Sequence, residues 1–489
     1  MFKKTLVNIH KVVGSLLSLL FLIWSISGLV LIFQGFPHAS RQERFEYLSE
    51  FKAQDFDKII SPLSNFKGRV ELEKYQGEPV YRVYKGRKKQ KVYDASTGEI
   101  IKYFSLKQAQ KEAEGFVMSN IKQSDILQER NMWIPWKTYE YYLPIYKLQM
   151  NDKDNSSIYV SSKTGSIVQQ TKTWNRILAF VGAIPHKLTI KTLKESPDNW
   201  RLTLFIISIL GLIVSLTGII TGLFRIKFKH RQTNEKLSVY KQRTYKWHHL
   251  FGLFFGVFIF LFMLSASFYP YRVPEWMSAS KDGKSTKSLW NKNLPLKAFS
   301  KSPKDIYLAI EQKAGIRKIV WQASMGKPSW FIYYNNFQDA VVYSQQGDSI
   351  VKTPLVTRKI IENYAKQLFK DDFTTHYQTE YTPYYQQCGM CHAPLPVYRV
   401  DIHDQFNTSL YIYPKTGSAL REMNNNKRSY FWLFTALHSF KFSIFIQHEI
   451  LRIIILIIIM LGGVSLSILG IGLAIKHLKR KIKNGHWSR

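Results

Sequence analysis

Four histidines and one Cys-x-x-Cys-His are the residues of this 489-residue sequence whose types and spacing could do chemistry. His10 and His248 each stand four residues before a glycine, in His10-Lys11-Val12-Val13-Gly14 and His248-His249-Leu250-Phe251-Gly252, at an offset of 238. His186 and His438 are related by a second offset, 252. Imidazoles that recur in this way would face one another as two pairs about a pseudo-twofold axis. A pair of axial imidazoles saturates haem iron and suits electron transfer rather than oxygen binding. A glycine one turn from His10 and from His248 lets a flat macrocycle approach the helix backbone. Zinc would favour four convergent ligands or added carboxylates and thiolates, and no Cys, Asp or Glu interrupts the apolar runs around these histidines. His10, His248, His186 and His438 are therefore the expected axial ligands of two b haems. His249 points about 100° away from His248 on a helix. His448, at the mouth of the last apolar run, has no counterpart in the first half.

Cys388 and Cys391 are the only cysteines, within Cys388-Gly389-Met390-Cys391-His392. That is the attachment pattern of a covalent c haem, with thioether bonds from both cysteines and His392 as proximal ligand. A disulfide and a metal site are the alternatives. His376, His403 and Met423 are the candidate sixth ligands by proximity in sequence.

These residues need a membrane to hold them. Apolar residues concentrate in Val12–Phe33, Leu202–Phe224, Leu250–Tyr269 and Ile453–Ile475, each long enough as a helix to cross ~30 Å of hydrocarbon. The first has too long an apolar core for a cleaved signal peptide and is read as a retained anchor. Lys and Arg crowd residues 225–247 and the tail after Ile475, and Lys3 and Lys4 precede the first run. The positive-inside rule puts all three segments in the cytoplasm and the two long connections outside. The expected boundaries are helix 1–33, external region 34–199, helix 200–224, loop 225–247, helix 248–270, external region 271–449, helix 450–475 and tail 476–489. The formal net charge is +35, of which the cytoplasmic segments supply +16 by count. The remaining basic surface lies outside, where it suits acidic ligands, acidic redox partners or lipid headgroups. That placement argues against nucleic acid.

The external halves repeat as well. Pro144-Ile145-Tyr146-Lys147-Leu148 returns as Pro396-Val397-Tyr398-Arg399-Val400, and Lys163-Thr164-Gly165-Ser166 as Lys415-Thr416-Gly417-Ser418, all at 252. Val80–Tyr84 with Lys91–Asp94, and Trp330–Tyr334 with Val341–Tyr343, read as hairpin strands. Helices are expected before each pair and over Leu106–Val117 and Thr357–Phe369, followed by strands at 144–149, 157–161, 397–402 and 409–413. Each half thus reads as two small α+β units. Trp174–Leu188 and Tyr430–Phe442 are aromatic, amphipathic approaches to the second and fourth runs. Arg201 and Arg452 open those runs, placed either to snorkel to headgroups or to pair with an acidic group of a cofactor. The fold class is an α+β membrane protein: a four-helix bundle from a tandem duplication carrying two extracytoplasmic α+β halves.

On the paired His-x-x-x-Gly segments, the Pro185-His186 and Leu437-His438 approaches and the repeated Lys-Thr-Gly-Ser strand ends, the chain resembles the PepSY-associated transmembrane family. The resemblance implies PepSY-like external halves and a bacterial inner-membrane location. It also implies axial roles for His10, His186, His248 and His438, and an activity similar to that of b-haem ferric-siderophore reductases. The Cys-x-x-Cys-His lies outside that family pattern and suggests an additional electron exit. No nucleotide-binding fingerprint occurs in a strand–helix context, so quinol or a separate reductase is the expected donor and a periplasmic acceptor, such as a ferric siderophore, the expected sink. The alternative is a membrane scaffold or sensor with structural histidines and a disulfide. A transporter is a third reading, disfavoured because both repeats start inside and the runs lack paired carboxylates.

Overall fold

The structure, a computed structural model, describes residues 1–66, 68–86, 89–226, 238–272, 285–386 and 393–483. It divides into two units: one built from residues 1–36, 175–278 and 427–489, the other from 37–174 and 279–426. Each unit therefore draws on both halves of the sequence.

The first unit is a bundle of four helices, α1 (Phe2–Phe33), α2 (Pro197–Leu223), α3 (Arg243–Phe268) and α4 (Glu449–Lys483). All four are long and apolar enough to cross a membrane. They close a ring in which α1 packs on α2 and α4, and α3 packs on α2 and α4. Ser196 caps α2 by accepting from the Asn199 amide, and Pro197 opens the first turn, where its missing N–H costs nothing. The approach to α2 is the helix Thr173–Val181 and the short turn Ala183–His186. The approach to α4 is Asn425–Tyr430, then a π-helical turn Phe431–Ala436 that leads into His438. A π turn inserts an extra residue and so rotates the next stretch of helix about its axis, often at functional sites.

Among the described residues the second unit holds sixteen strands. β1 (Arg69–Tyr75), β2 (Glu78–Lys85), β3 (Lys89–Asp94) and β4 (Ile100–Ile101) form one antiparallel run. β9 (Lys318–Ser324), β10 (Lys327–Tyr333), β11 (Ala340–Gln346) and β12 (Ser349–Lys352) form another. The sequence reads as four separate α+β units, but these two runs join through β1 and β9 into one eight-stranded sheet, β12-β11-β10-β9-β1-β2-β3-β4. The join buries one continuous apolar face. Val70, Leu72, Tyr81, Ile319, Trp321, Trp330 and Ile332 share a single core on it.

The other two units remain separate four-stranded sheets: β5 (Ile121–Leu127), β6 (Ile145–Met150), β7 (Ser157–Ser161), β8 (Ile167–Thr171), and β13 (Phe373–Gln378), β14 (Val397–Ile402), β15 (Thr408–Ile412), β16 (Ala419–Met423). The first packs on the helix Leu106–Val117, where Ala109 and Ala113 meet Tyr146, Leu148 and Ile158. The second packs on Arg358–Leu368, where Ile361 and Ala365 meet Val400 and Leu410. Of the helices expected before the hairpins, Pro303–Ala309 forms with a Ser302/Asp305 capping box. The first-half counterpart is only a 3-10 turn, Ala53–Asp57.

The opposite face of the eight-stranded sheet is charged at its centre. Strand alternation puts Arg69, Glu71 and Glu73 of β1 on it, with Arg82 across from Glu71 and Lys318 across from Glu73. Lys318 Nζ lies 2.8 Å from both carboxylates, Arg82 Nε 2.5 Å from Glu73, and Arg69 bonds Glu71. Burial alone would raise the Glu71 carboxyl, but Lys318 and Arg69 overcome it and bring it down to about 2. Removing one partner of such a network strands a buried charge.

Glu112, buried beside this network on the helix Leu106–Val117, behaves in the opposite sense. Burial raises its carboxyl to about 7, only partly offset by Arg82 and by the Gln76 amide that donates to it at 3.4 Å. Its ordinary value is 4.5. Below that pH both folded and unfolded states are protonated and the residue costs nothing. Between 4.5 and 7 a cost to folding grows, and above 7 it is complete, up to about 3 kcal/mol. Glu112→Gln is therefore expected to raise the thermal stability of the strand-rich unit at pH 8 and leave it unchanged at pH 4. Equal effects at the two pH values would show that the carboxyl is not titrating in this window.

Candidate cofactor site in the helix bundle

The bundle brings together the pairs that the two sequence offsets predict. His10 on α1 faces His248 on α3 with ring centres 6.2 Å apart and planes at 46°. His186, just before α2, faces His438, just before α4, at 5.9 Å and 71°. Two imidazoles that ligate one metal from opposite sides, each at a metal–nitrogen distance of about 2.0 Å, have ring centres roughly 6 Å apart. Both pairs have that separation.

The hydrogen bonds fix which nitrogen is left for a metal. Ser27 Oγ donates to the Trp24 carbonyl at 3.0 Å. Its oxygen must then accept from Nδ1–H of His186, also at 3.0 Å. Ser265 repeats the arrangement, donating to the Phe262 carbonyl at 2.9 Å and accepting from Nδ1–H of His438 at 3.0 Å. His10 Nδ1–H donates to the Val214 carbonyl at 3.0 Å. Each of these three rings is a tautomer whose Nε2 keeps its lone pair, the arrangement that second-shell partners impose on metal-binding histidines. His248 differs: its buried Nδ1 closes no hydrogen bond, although the Leu466 backbone lies beside it. The Leu466 position stands to Val214 at the same offset of 252.

Neither serine stands out in the sequence by itself, yet the signal is present there. Ser27 and Ser265 are related by 238, as are His10 and His248, so each histidine of the outer pair draws its partner from the helix that opens its own half. Ser27 lies 17 residues after His10 and Ser265 lies 17 after His248. At 1.5 Å of rise per residue, the two levels are separated by about 25 Å along the bundle.

A cavity of about 340 Å³ surrounds the inner pair. Gly14 and Gly252, one turn beyond the histidines, line it together with Gly218 and Gly470 from α2 and α4. Lys11, Arg225 and Arg480 line it as well. The outer pair is walled by aromatic rings: Phe434 stacks on His438 at 5.1 Å and Phe262 meets it edge-on at 5.7 Å.

His249 is excluded as a ligand because both its nitrogens are occupied. Nε2–H donates to the Gly222 carbonyl at 2.8 Å, and Nδ1 accepts from Ser238 Oγ at 2.8 Å. His448 is exposed at the end of the short helix Ser443–Gln447. Arg201 pairs with Asp198 at 3.1 Å and Arg452 with Glu449, one turn away in each case, and Arg452 also donates to the Ser439 carbonyl. Cys388, Cys391 and His392 lie outside the described residues. Of the three proposed sixth ligands, His376 is half-exposed and 3.6 Å from Asp401, and Met423 is buried in an apolar cluster with Tyr385 and Ala393. Among the described residues no three His, Cys, Asp or Glu side chains converge as a metal cluster; the four histidines meet in twos.

No protein-family model matches the chain, and no curated protein matches it.

Proposed function

We propose that the chain is a transmembrane haem oxidoreductase that holds two b haems in its helix bundle and passes electrons to an acceptor outside the cytoplasm. The observation that carries this reading is the pairing of four histidines at two depths, each pair with ring centres about 6 Å apart. Two-ligand sites fit haem, whose macrocycle supplies the other four donors, better than zinc. On this reading the chain is a tandem duplication similar to the PepSY-associated transmembrane family and sits in a bacterial inner membrane. Its basic segments 225–247 and 476–489 then face the cytoplasm, and the strand-rich unit lies outside.

Haem, when bound, supplies a one-electron Fe(III)/Fe(II) couple. His10 and His248 would hold it near the cytoplasmic surface, where Lys11, Arg225 and Arg480 offer cations to acidic substituents. His186 and His438 would hold it at the outer level, with Ser27 and Ser265 locking the tautomer that presents Nε2. With two histidines committed to a haem at each level, the bundle would favour electron transfer over binding of a substrate to iron. Phe21 lines the inner cavity, and Trp24 lies 6.5 Å from it toward the outer level. Two stations divide a crossing of ~30 Å that a single step could not make. The donor would be quinol or a separate reductase. The acceptor would be a periplasmic redox partner or a ferric siderophore, with Cys388, Cys391 and His392 as an additional c-haem exit.

The test is spectroscopic. Protein purified in mild detergent from haem-replete cells should give a dithionite-reduced spectrum with a sharp Soret band, and a pyridine haemochrome assay should count two extractable haems per chain. Absence of a Soret band would leave the scaffold or sensor as the better reading. Haem that resists acid–acetone extraction would assign a c haem to Cys388 and Cys391.

A further inference from the structure

The charged face of the eight-stranded sheet forms one wall of a cavity of about 740 Å³ that has no part in the helix bundle. We infer that this cavity is a binding site for a small organic dianion built on an aromatic frame. Six cationic side chains line it against three carboxylates, Glu71, Glu73 and Glu112. Lys74 is taken by Asp55 outside the lining, at 2.8 Å. Arg69, Arg82 and Lys318 share only Glu71 and Glu73. Among the described residues Arg44 bonds backbone carbonyls, those of Ile167 at 2.9 Å and Ser40 at 3.3 Å, and no carboxylate is paired with its positive charge. Arg41 stands one turn earlier on the same helix. A surplus of two to three positive charges inside a partly enclosed concavity focuses potential on an anion, and guanidinium forks match carboxylate geometry.

The remaining lining supplies the aromatic preference. Tyr47, Tyr75, Tyr84, Tyr139, Tyr142 and Tyr333 surround the same space. Burial holds Tyr84, Tyr139 and Tyr142 above the usual tyrosine range, so they present neutral rings and hydroxyls near pH 7 and do not cancel the surplus. Glu112 faces this site among Gln76, Tyr47, Tyr75, Arg82 and Glu73. Its carboxylate develops as pH rises through about 7, which opposes an incoming anion. Affinity should therefore fall between pH 6 and pH 8.

Titration calorimetry on the full-length chain in detergent tests the assignment, with naphthalene-2,6-dicarboxylate, adipate and sulfate as probes. The expected order is the naphthalene dianion tightest, adipate at least tenfold weaker and sulfate weaker still. Arg44→Gln should weaken the naphthalene probe about tenfold without lowering the melting temperature. Should that variant not fold, the exposed Arg41→Gln decides in the same way. Absence of saturable binding at millimolar probe overturns the inference, as does equal binding of adipate or sulfate, or an unchanged affinity in the variant that folds. The readout does not depend on haem. His10→Ala should bind the probe as the parent does, so binding that persists in protein without a Soret band would leave this site standing while the oxidoreductase reading fell.

Discussion

Replacing His10 by alanine is expected to halve the haem content of the purified chain, from about two per protein to about one. The haem that remains should keep a six-coordinate, low-spin spectrum, because His186 and His438 sit at another level and lean on different serines. His248→Ala should have the same effect, since each ring is half of one site. His186→Ala should remove the other haem, and the double variant His10→Ala/His186→Ala should carry none. The deciding control is His249→Ala. That residue is adjacent to His248 in sequence, yet both its nitrogens are engaged by Gly222 and Ser238, so its loss should leave both haems in place. Electron delivery from a quinol to an external ferric chelate should collapse in His10→Ala, because the inner of the two stations would be missing. A His10→Ala protein with both haems retained would refute the pairing, whatever its activity.

The pairing was legible in sequence because a repeated offset turns one ambiguous histidine into a comparison. A single histidine beside an apolar run has many roles, but one that survives at a fixed offset in both halves has been kept for something the fold uses twice. The choice of His248 over His249 followed from its offset of 238 from His10 and its spacing to Gly252, and the hydrogen bonds of His249 supply its separate reason to exist. The serine partners were harder to see. Ser27 and Ser265 lie among several serines in apolar helices, where serine commonly bonds its own backbone, and only the tertiary approach of the His186 and His438 segments singles them out. The sheet divides in the same way. β2, β3, β6, β7, β14 and β15 carry alternating or continuous apolar runs and were readable. β1 and β9 were not read, although Val70 and Leu72 alternate with Glu71 and Glu73 on the one and Ile319-Val320-Trp321 is apolar on the other. Their pairing is also non-local: Glu73 meets Lys318 across 245 residues, which no local pattern encodes. The dianion cavity was missed for the same reason, since its wall exists only once the two halves join.

The second large effect expected is local and asymmetric. Gly218 on α2 and Gly470 on α4 occupy equivalent places at the offset of 252, each against an inner histidine, but the space they leave is unequal. A Cβ on Gly218 would sit 2.7 Å from Cε1 and 3.0 Å from Nδ1 of His10, whereas one on Gly470 would meet His248 Cε1 at 3.7 Å, an ordinary contact. The His10 ring cannot simply swing aside, because its Nδ1–H is held by the Val214 carbonyl one turn earlier on the same helix that would carry the new methyl group. To clear it the ring must break that bond or tilt its Nε2 out of line with His248. Gly218→Ala should therefore lose the inner haem or hold it in an altered, weaker-field state, with the outer haem untouched. Gly470→Ala should bind both. Alanine is favoured over glycine in a helix interior by about 1 kcal/mol, so neither variant should melt earlier than the parent for helical reasons, and a lost haem in Gly218→Ala would be read as displacement of a ligand rather than failure of the bundle. Two variants with identical chemistry at equivalent positions of a repeat would then differ by one whole cofactor. Equal haem content with an unchanged low-spin spectrum in both would mean that the His10 ring is not held where the Val214 bond puts it, and the ligand role of His10 would lose its geometric support.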